Sequence, residues 1–120
     1  MTNTVSSEQS VTAVSQRMDP EKKAAWVAAL RSGKYKQCRG HLFYGNRFCC
    51  LGVYGDTRDL PRDMLRTHAG SLGFAVSSAP DALKYVLSEI GSEAMRDQLA
   101  SMNDAGKSFP EIADYIEENL

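Results

Sequence analysis

No run of about eighteen apolar residues occurs in this chain of 120, so no membrane-spanning helix is expected. The first residues, Met1-Thr2-Asn3-Thr4-Val5-Ser6-Ser7, lack a basic stretch leading into an apolar core, so no secretory signal is expected. Cysteine is scarce: there are three, two of them adjacent. That is a poor basis for a disulfide framework, and free thiols in a reducing compartment are the expectation. Tryptophan occurs once and histidine twice. No internal repeat or low-complexity tract is present. Between Arg31 and Arg47 there is no acidic residue at all. With 42% hydrophobic and 24% charged residues, the composition is that of an ordinary globular protein and argues against global disorder. The length suits one domain able to bury most of the surface its unfolded chain exposes.

The densest chemistry lies between Trp26 and Tyr54, which holds the tryptophan, every cysteine, His41 and the apolar run Phe48-Cys49-Cys50-Leu51-Gly52-Val53-Tyr54. The net charge of −1 conceals a strong asymmetry. Arg31, Lys34, Lys36, Arg39 and Arg47 form a basic block without counter-charge, whereas residues 81–120 carry nine acids against Lys84, Arg96 and Lys107. The two regions either attract each other within the fold or face separate partners.

In chain order, residues 1–18 read as a flexible or helical arm and residues 19–120 as a single globular domain. Asp19-Pro20 is a helix start, since aspartate accepts from first-turn amides and proline has no N–H to lose there. Trp26, Val27, Ala29 and Leu30 give the apolar face, and Gly33 a left-handed stop, so a helix is expected over about 20–32. Gly45-Asn46 predicts a tight hairpin between His41-Leu42-Phe43-Tyr44 and Arg47-Phe48-Cys49-Cys50. Tyr35-Lys36-Gln37-Cys38 is a candidate third strand. Residues 51–56 are ambiguous, because Gly52 and Gly55 weaken helix and strand alike. Pro61 opens a short helix through His68. Ser78-Ala79-Pro80-Asp81 resembles a capping box before Leu83, Val86, Leu87 and Ile90. Ser92 starts a helix carrying Met95, Leu99 and Met102, and Ser108-Phe109-Pro110-Glu111 is a second capping box before Ile112 and Ile116. The expected fold class is α+β: four to five helices packed around a small antiparallel hairpin or three-stranded sheet.

The candidate contact surface is the basic aromatic segment, Arg31, Lys34, Tyr35, Lys36, Arg39, Phe43, Tyr44 and Arg47. Cations displace counterions from phosphates and rings stack on bases, so its partner is nucleic acid, a nucleotide or an acidic protein patch. The bland alternative is a solvated hairpin paired with the acidic helices. Cys38-x-x-His41 followed by Cys49-Cys50 offers zinc-ligand types, but adjacent strand residues point to opposite faces, and no metal or other cofactor is expected. Thiol catalysis needs a thiolate beside His41 or His68, and nothing in the spacing brings them together. Buried structural cysteine is the favoured reading. Gly106-Lys107-Ser108 is not a phosphate loop, because Ser101 stands where its first glycine belongs. Asp97, Asp104, Glu111, Asp114, Glu117 and Glu118 read as a solvated acidic helix face.

Three blocks carry a resemblance: Trp26 through Gln37, then Phe48-Cys49-Cys50-Leu51-Gly52-Val53, then Leu99 to Asp104 with Gly106-Lys107-Ser108-Phe109 and Glu111-Ile112-Ala113. Together they resemble a family of small, mostly uncharacterised bacteriophage proteins. Members of that family often follow the paired-cysteine block with leucine, cysteine and aspartate, where this chain has Tyr54-Gly55-Asp56. The resemblance implies a phage origin and the host cytoplasm. The expected function is a non-enzymatic protein that binds a host protein or complex, an inhibitor of a bacterial defence complex such as a CRISPR effector. Tyr35, Lys36, Arg39, Tyr44 and Arg47 lead the expected contacts. The alternatives are a binder of nucleic acid or small nucleotides through the same surface and, behind it, a cysteine-dependent enzyme.

Overall fold

Residues 18–66 and 81–120 are described by the computed structural model of the chain. Asp19 caps the first helix, α1 (Pro20–Arg31), its carboxylate accepting from the amides of Glu21 and Lys22 at 3.1 Å each. The helix closes through Ser32 and the left-handed Gly33 (φ 76°). Trp26, Val27 and Leu30 form its buried face and pack chiefly along the last helix, α6 (Phe109–Asn119).

A tight turn then folds β1 (Phe43–Tyr44) antiparallel onto β2 (Arg47–Phe48), with Phe43 opposite Phe48 and Tyr44 opposite Arg47. Gly45 and Asn46 both take positive φ, 59° and 63°, which is the mirror-image turn that matches the twist of the flanking strands. Phe43 and Phe48 turn inward while Tyr44 and Arg47 stay exposed. The expected third extended piece is present as a single bridge, Gln37 to Phe48, and it runs parallel to β2. The Phe48 amide donates to the Lys36 carbonyl and the Cys38 amide donates to the Phe48 carbonyl, both at 2.8 Å.

The ambiguous stretch is a helix. α2 (Cys50–Thr57) begins where the hairpin strand was expected to continue, with Cys49 as its cap. Every residue from Cys50 to Gly55 is buried, and a helix that is apolar all round belongs inside. It contacts α1, β2, α3 (Arg62–Arg66), α4 (Asp81–Ser88) and α5 (Glu93–Asp104), so the rest of the domain is arranged around it. Its glycines serve close approach. A Cβ on Gly52 would lie 1.9 Å from the Leu42 carbonyl oxygen, and one on Gly55 would lie 2.9 Å from a Leu65 methyl. Helix propensity, about 1 kcal/mol per glycine, is outweighed by the burial of Leu51, Val53 and Tyr54, each worth roughly 2 kcal/mol. Trp26 locks the joint, its indole Nε1 donating to the Cys50 carbonyl at 2.9 Å while its ring meets Tyr54 edge-on.

The later caps form as the residues suggest. Ser92 accepts from the Met95 amide, and Ser108 and Glu111 complete a reciprocal capping box on α6. The architecture is α+β, with six helices among the described residues around a two-stranded antiparallel hairpin. The additional helix is α2. Of the arm expected at 1–18, residues 1–17 lie outside the described residues, as do the extension of α3 to His68 and the capping box at Ser78 to Pro80; Met18, the arm's last residue, is buried against the core. Among the described residues no helix is long and apolar enough to cross a membrane.

Candidate binding surface

The basic block divides in two. Arg31, at the end of α1, reaches α6: its Nη2 lies 2.6 Å from Asp114 and 3.1 Å from Glu117. Those carboxylates hold the guanidinium in its charged form. Here the attraction between the basic middle and the acidic third is satisfied within the fold. Lys34, Lys36, Arg39 and Arg47 are all exposed, and among the described residues none makes an ion pair.

Tyr44 and Arg47 sit side by side on the outer face of the hairpin. Tyr44 is 61% exposed and stacks on His41, with ring centroids 4.8 Å apart. Arg39 lies over the turn between α5 and α6, close enough that a Cβ on Gly106 would meet its Nη2 at 3.1 Å. The inner face differs. Tyr35 is half-buried, edge-on to Phe48, and its hydroxyl donates to Asp56 at 2.6 Å. Burial and that hydrogen bond push the phenol up to about 12, so it stays protonated. Tyr35 is thus fixed as a wall, whereas Tyr44 stays exposed on the outer face.

Arg62 was not anticipated. It rises from α3, lies 5.3 Å over the Phe48 ring, and donates from Nε to Asp56 at 3.3 Å. With Lys34, Tyr35, Lys36, Asn46 and Phe48 it lines an open cleft of about 420 Å³. Its separation in sequence from the basic block concealed this role.

Behind the surface sits a clamp that sequence reasoning also missed. Asn103 is fully buried. Its Oδ1 accepts from the Cys50 amide (3.1 Å) and from Gln37 Nε2 (2.9 Å), while its Nδ2 donates to the Cys38 carbonyl (2.8 Å) and to Asp104. Asp104 in turn accepts from the Gly40 amide at 2.9 Å. These bonds fix residues 37–40 and, through them, the site of Arg39. No local pattern in the sequence signals this clamp, because its partners lie 53 to 66 positions apart. A second anchor joins α2 to the segment after α4: Glu89 accepts from Tyr54 at 2.6 Å and from Arg58 at 2.7 and 2.9 Å. Arg58, more than Tyr54, holds the Glu89 carboxyl down at about 2.

The thiols are free, with Cys49 and Cys50 buried and Cys38 half-buried. Burial pushes Cys49 up to about 12, and raises Cys50 well above its ordinary value and Cys38 to a lesser extent. The Cys49 sulfur accepts from the Gly52 amide and the Cys50 thiol points to the Leu99 carbonyl, so both serve as helix-start and core groups. His41 stacks on Tyr44, its Nδ1 without a hydrogen-bond partner among the described residues. Among those residues no three His, Cys, Asp or Glu side chains converge to hold a metal.

Residues 18–68 match the sequence model of a domain of unknown function (DUF8296). That match spans α1, the hairpin, α2 and α3, hence the unpaired cations and the cleft. No curated protein and no solved structure matches the chain.

Proposed function

We propose that this protein is a phage-encoded, non-enzymatic binding protein. It captures an acidic surface on a host protein through Arg39, Tyr44 and Arg47, and thereby inhibits a bacterial defence complex in the host cytoplasm. The observation that carries the reading is the outer face of the hairpin, where Arg47 lies beside a Tyr44 ring that is open to solvent and stacked on His41, together with an exposed Arg39; among the described residues neither arginine makes an ion pair. Arginine and tyrosine are the residues that interfaces favour, because each combines a rigid flat body with polar reach. Cations held near the surface also speed encounter with an acidic partner. The protonated, buried thiols favour binding over covalent catalysis, since the thiolate is the nucleophile.

The test is a double charge reversal, Arg39→Glu with Arg47→Glu. Both side chains are exposed, so the variant keeps its melting temperature. Tagged wild-type protein is expected to retain a host complex from lysate and to restore phage plating on a host whose defence is active, and the variant to do neither. Equal capture and equal restoration by the two proteins would remove this surface.

A further inference from the structure

The cleft beside the hairpin has its own composition. Lys34 and Lys36 come from the chain leaving α1, Asn46 and Phe48 from the hairpin, and Arg62 from α3, with Tyr35 as one wall. Its volume, about 420 Å³, falls within the roughly 300–1,000 Å³ typical of small-ligand sites. Among the described residues no carboxylate lines it, and neither lysine is paired. Arg62 is held differently from the lysines. Asp56 takes its Nε at 3.3 Å, the Phe48 ring lies behind it at 5.3 Å, and its side chain is still 56% exposed. Asp56 is itself fixed by the Tyr35 hydroxyl. The guanidinium is therefore a positioned flat plate with a ring on its inner side and solvent on its outer side.

We infer that this cleft binds a nucleotide, with the phosphate between Lys34 and Lys36 and the base stacked on the outer face of Arg62. Ammonium groups act as point charges suited to phosphate, and guanidinium planes stack on bases. The Asn46 carboxamide supplies both a donor and an acceptor for a base edge. A ligand that is merely acidic would use the lysines and leave the plate idle. Arg39, Tyr44 and Arg47 do not line the cleft, so the inference stands apart from partner capture on the outer edge.

Calorimetric titration at low salt with AMP, GMP, CMP and UMP tests it, alongside inorganic phosphate, a 5′-phosphorylated tetranucleotide and a phosphoserine peptide. At least one mononucleotide is expected to bind saturably. K34E/K36E is expected to weaken that binding about tenfold or more while melting like wild type, since both lysines are exposed. Arg62→Lys keeps the charge but loses the plate, so it weakens nucleotide and leaves inorganic phosphate unchanged. R39E/R47E keeps full nucleotide affinity, so the two surfaces stand or fall separately. A tetranucleotide that binds tighter than its mononucleotide, and is lost in K34E/K36E, assigns the ligand to strand ends; the reverse order assigns it to free nucleotides. Both uphold the site. No saturable binding, equal affinity for inorganic phosphate, preference for the phosphopeptide, or indifference to K34E/K36E would each overturn it.

Discussion

Replacing Asn103 with alanine is the most severe polar test of this fold. The change removes the acceptor for the Cys50 amide and the donor to the Cys38 carbonyl. Cys50 opens α2, where a first-turn amide has no partner inside the helix, so the loss is not made good locally. Gln37 keeps one partner, because its Nε2 also donates to the Lys107 carbonyl at 2.8 Å. Two buried polar groups are thus orphaned, at about 1–3 kcal/mol each, or about 4 kcal/mol together. For a domain of this size that corresponds to a fall in melting temperature of about 12–16 °C. Scanning calorimetry reads this directly, and hydrogen exchange should show the Cys50 amide losing protection first. Asn103→Asp separates the two halves of the clamp. It keeps the acceptor for Cys50 but loses the donor to Cys38 and sets a carboxylate beside Asp104. It should therefore be destabilised at neutral pH and recover in part on acidification. A fall of under about 4 °C for the alanine variant would show that residues 37–40 are held by something else.

The glycines of α2 should respond unequally to alanine. Gly52→Ala drives a methyl into the Leu42 carbonyl, which is backbone and cannot move aside, at about 3 kcal/mol or more; Gly55→Ala meets side-chain methyls of Leu65 and Leu60, which can shift, and stays within about 1 kcal/mol of wild type. Equal melting temperatures for the two variants would contradict the close approach. Glu89 sets an acid limit: because folding lowers its carboxyl from 4.5 to about 2, its contribution is complete above the ordinary value and is lost as pH falls through that window. The full amount is about 3 kcal/mol, so Glu89→Gln should lower neutral stability by about 2 kcal/mol and flatten the denaturation profile between those two pH values. An unchanged acid limb in the variant would assign it to other carboxylates. In native protein at neutral pH, Cys49 and Cys50 should resist alkylation by iodoacetamide, with Cys38 reacting slowly and all three reacting at once in denaturant. Rapid labelling of either buried thiol before unfolding would show that α2 opens readily.

Local chemistry alone determined much of this protein. Asp19-Pro20, Ser92 and the Ser108–Glu111 box specify helix starts because their partners lie within four residues, and Gly45-Asn46 specifies its turn because few residues accept two positive φ angles in succession. The basic block, the exposed Tyr44 and the burial of the paired cysteines were legible for the same reason: composition over a short span reports what water will and will not accept. Tertiary structure decided the rest. Gly52 and Gly55 argue against a helix until Leu42 and Leu65 are seen pressed against them, and residues 50–57 become helical because burial there exceeds propensity. Whether a cation is neutralised depends on which acid folds against it, so Arg31 finds Asp114 across 83 positions while Lys34, Lys36, Arg39 and Arg47 find none among the described residues. Asn103 and Arg62 gain their roles the same way, by bonds and ring contacts to segments distant in the chain. Spacing within a sequence fixes what neighbours do to one another; contacts between distant segments arise only when the whole core closes around α2.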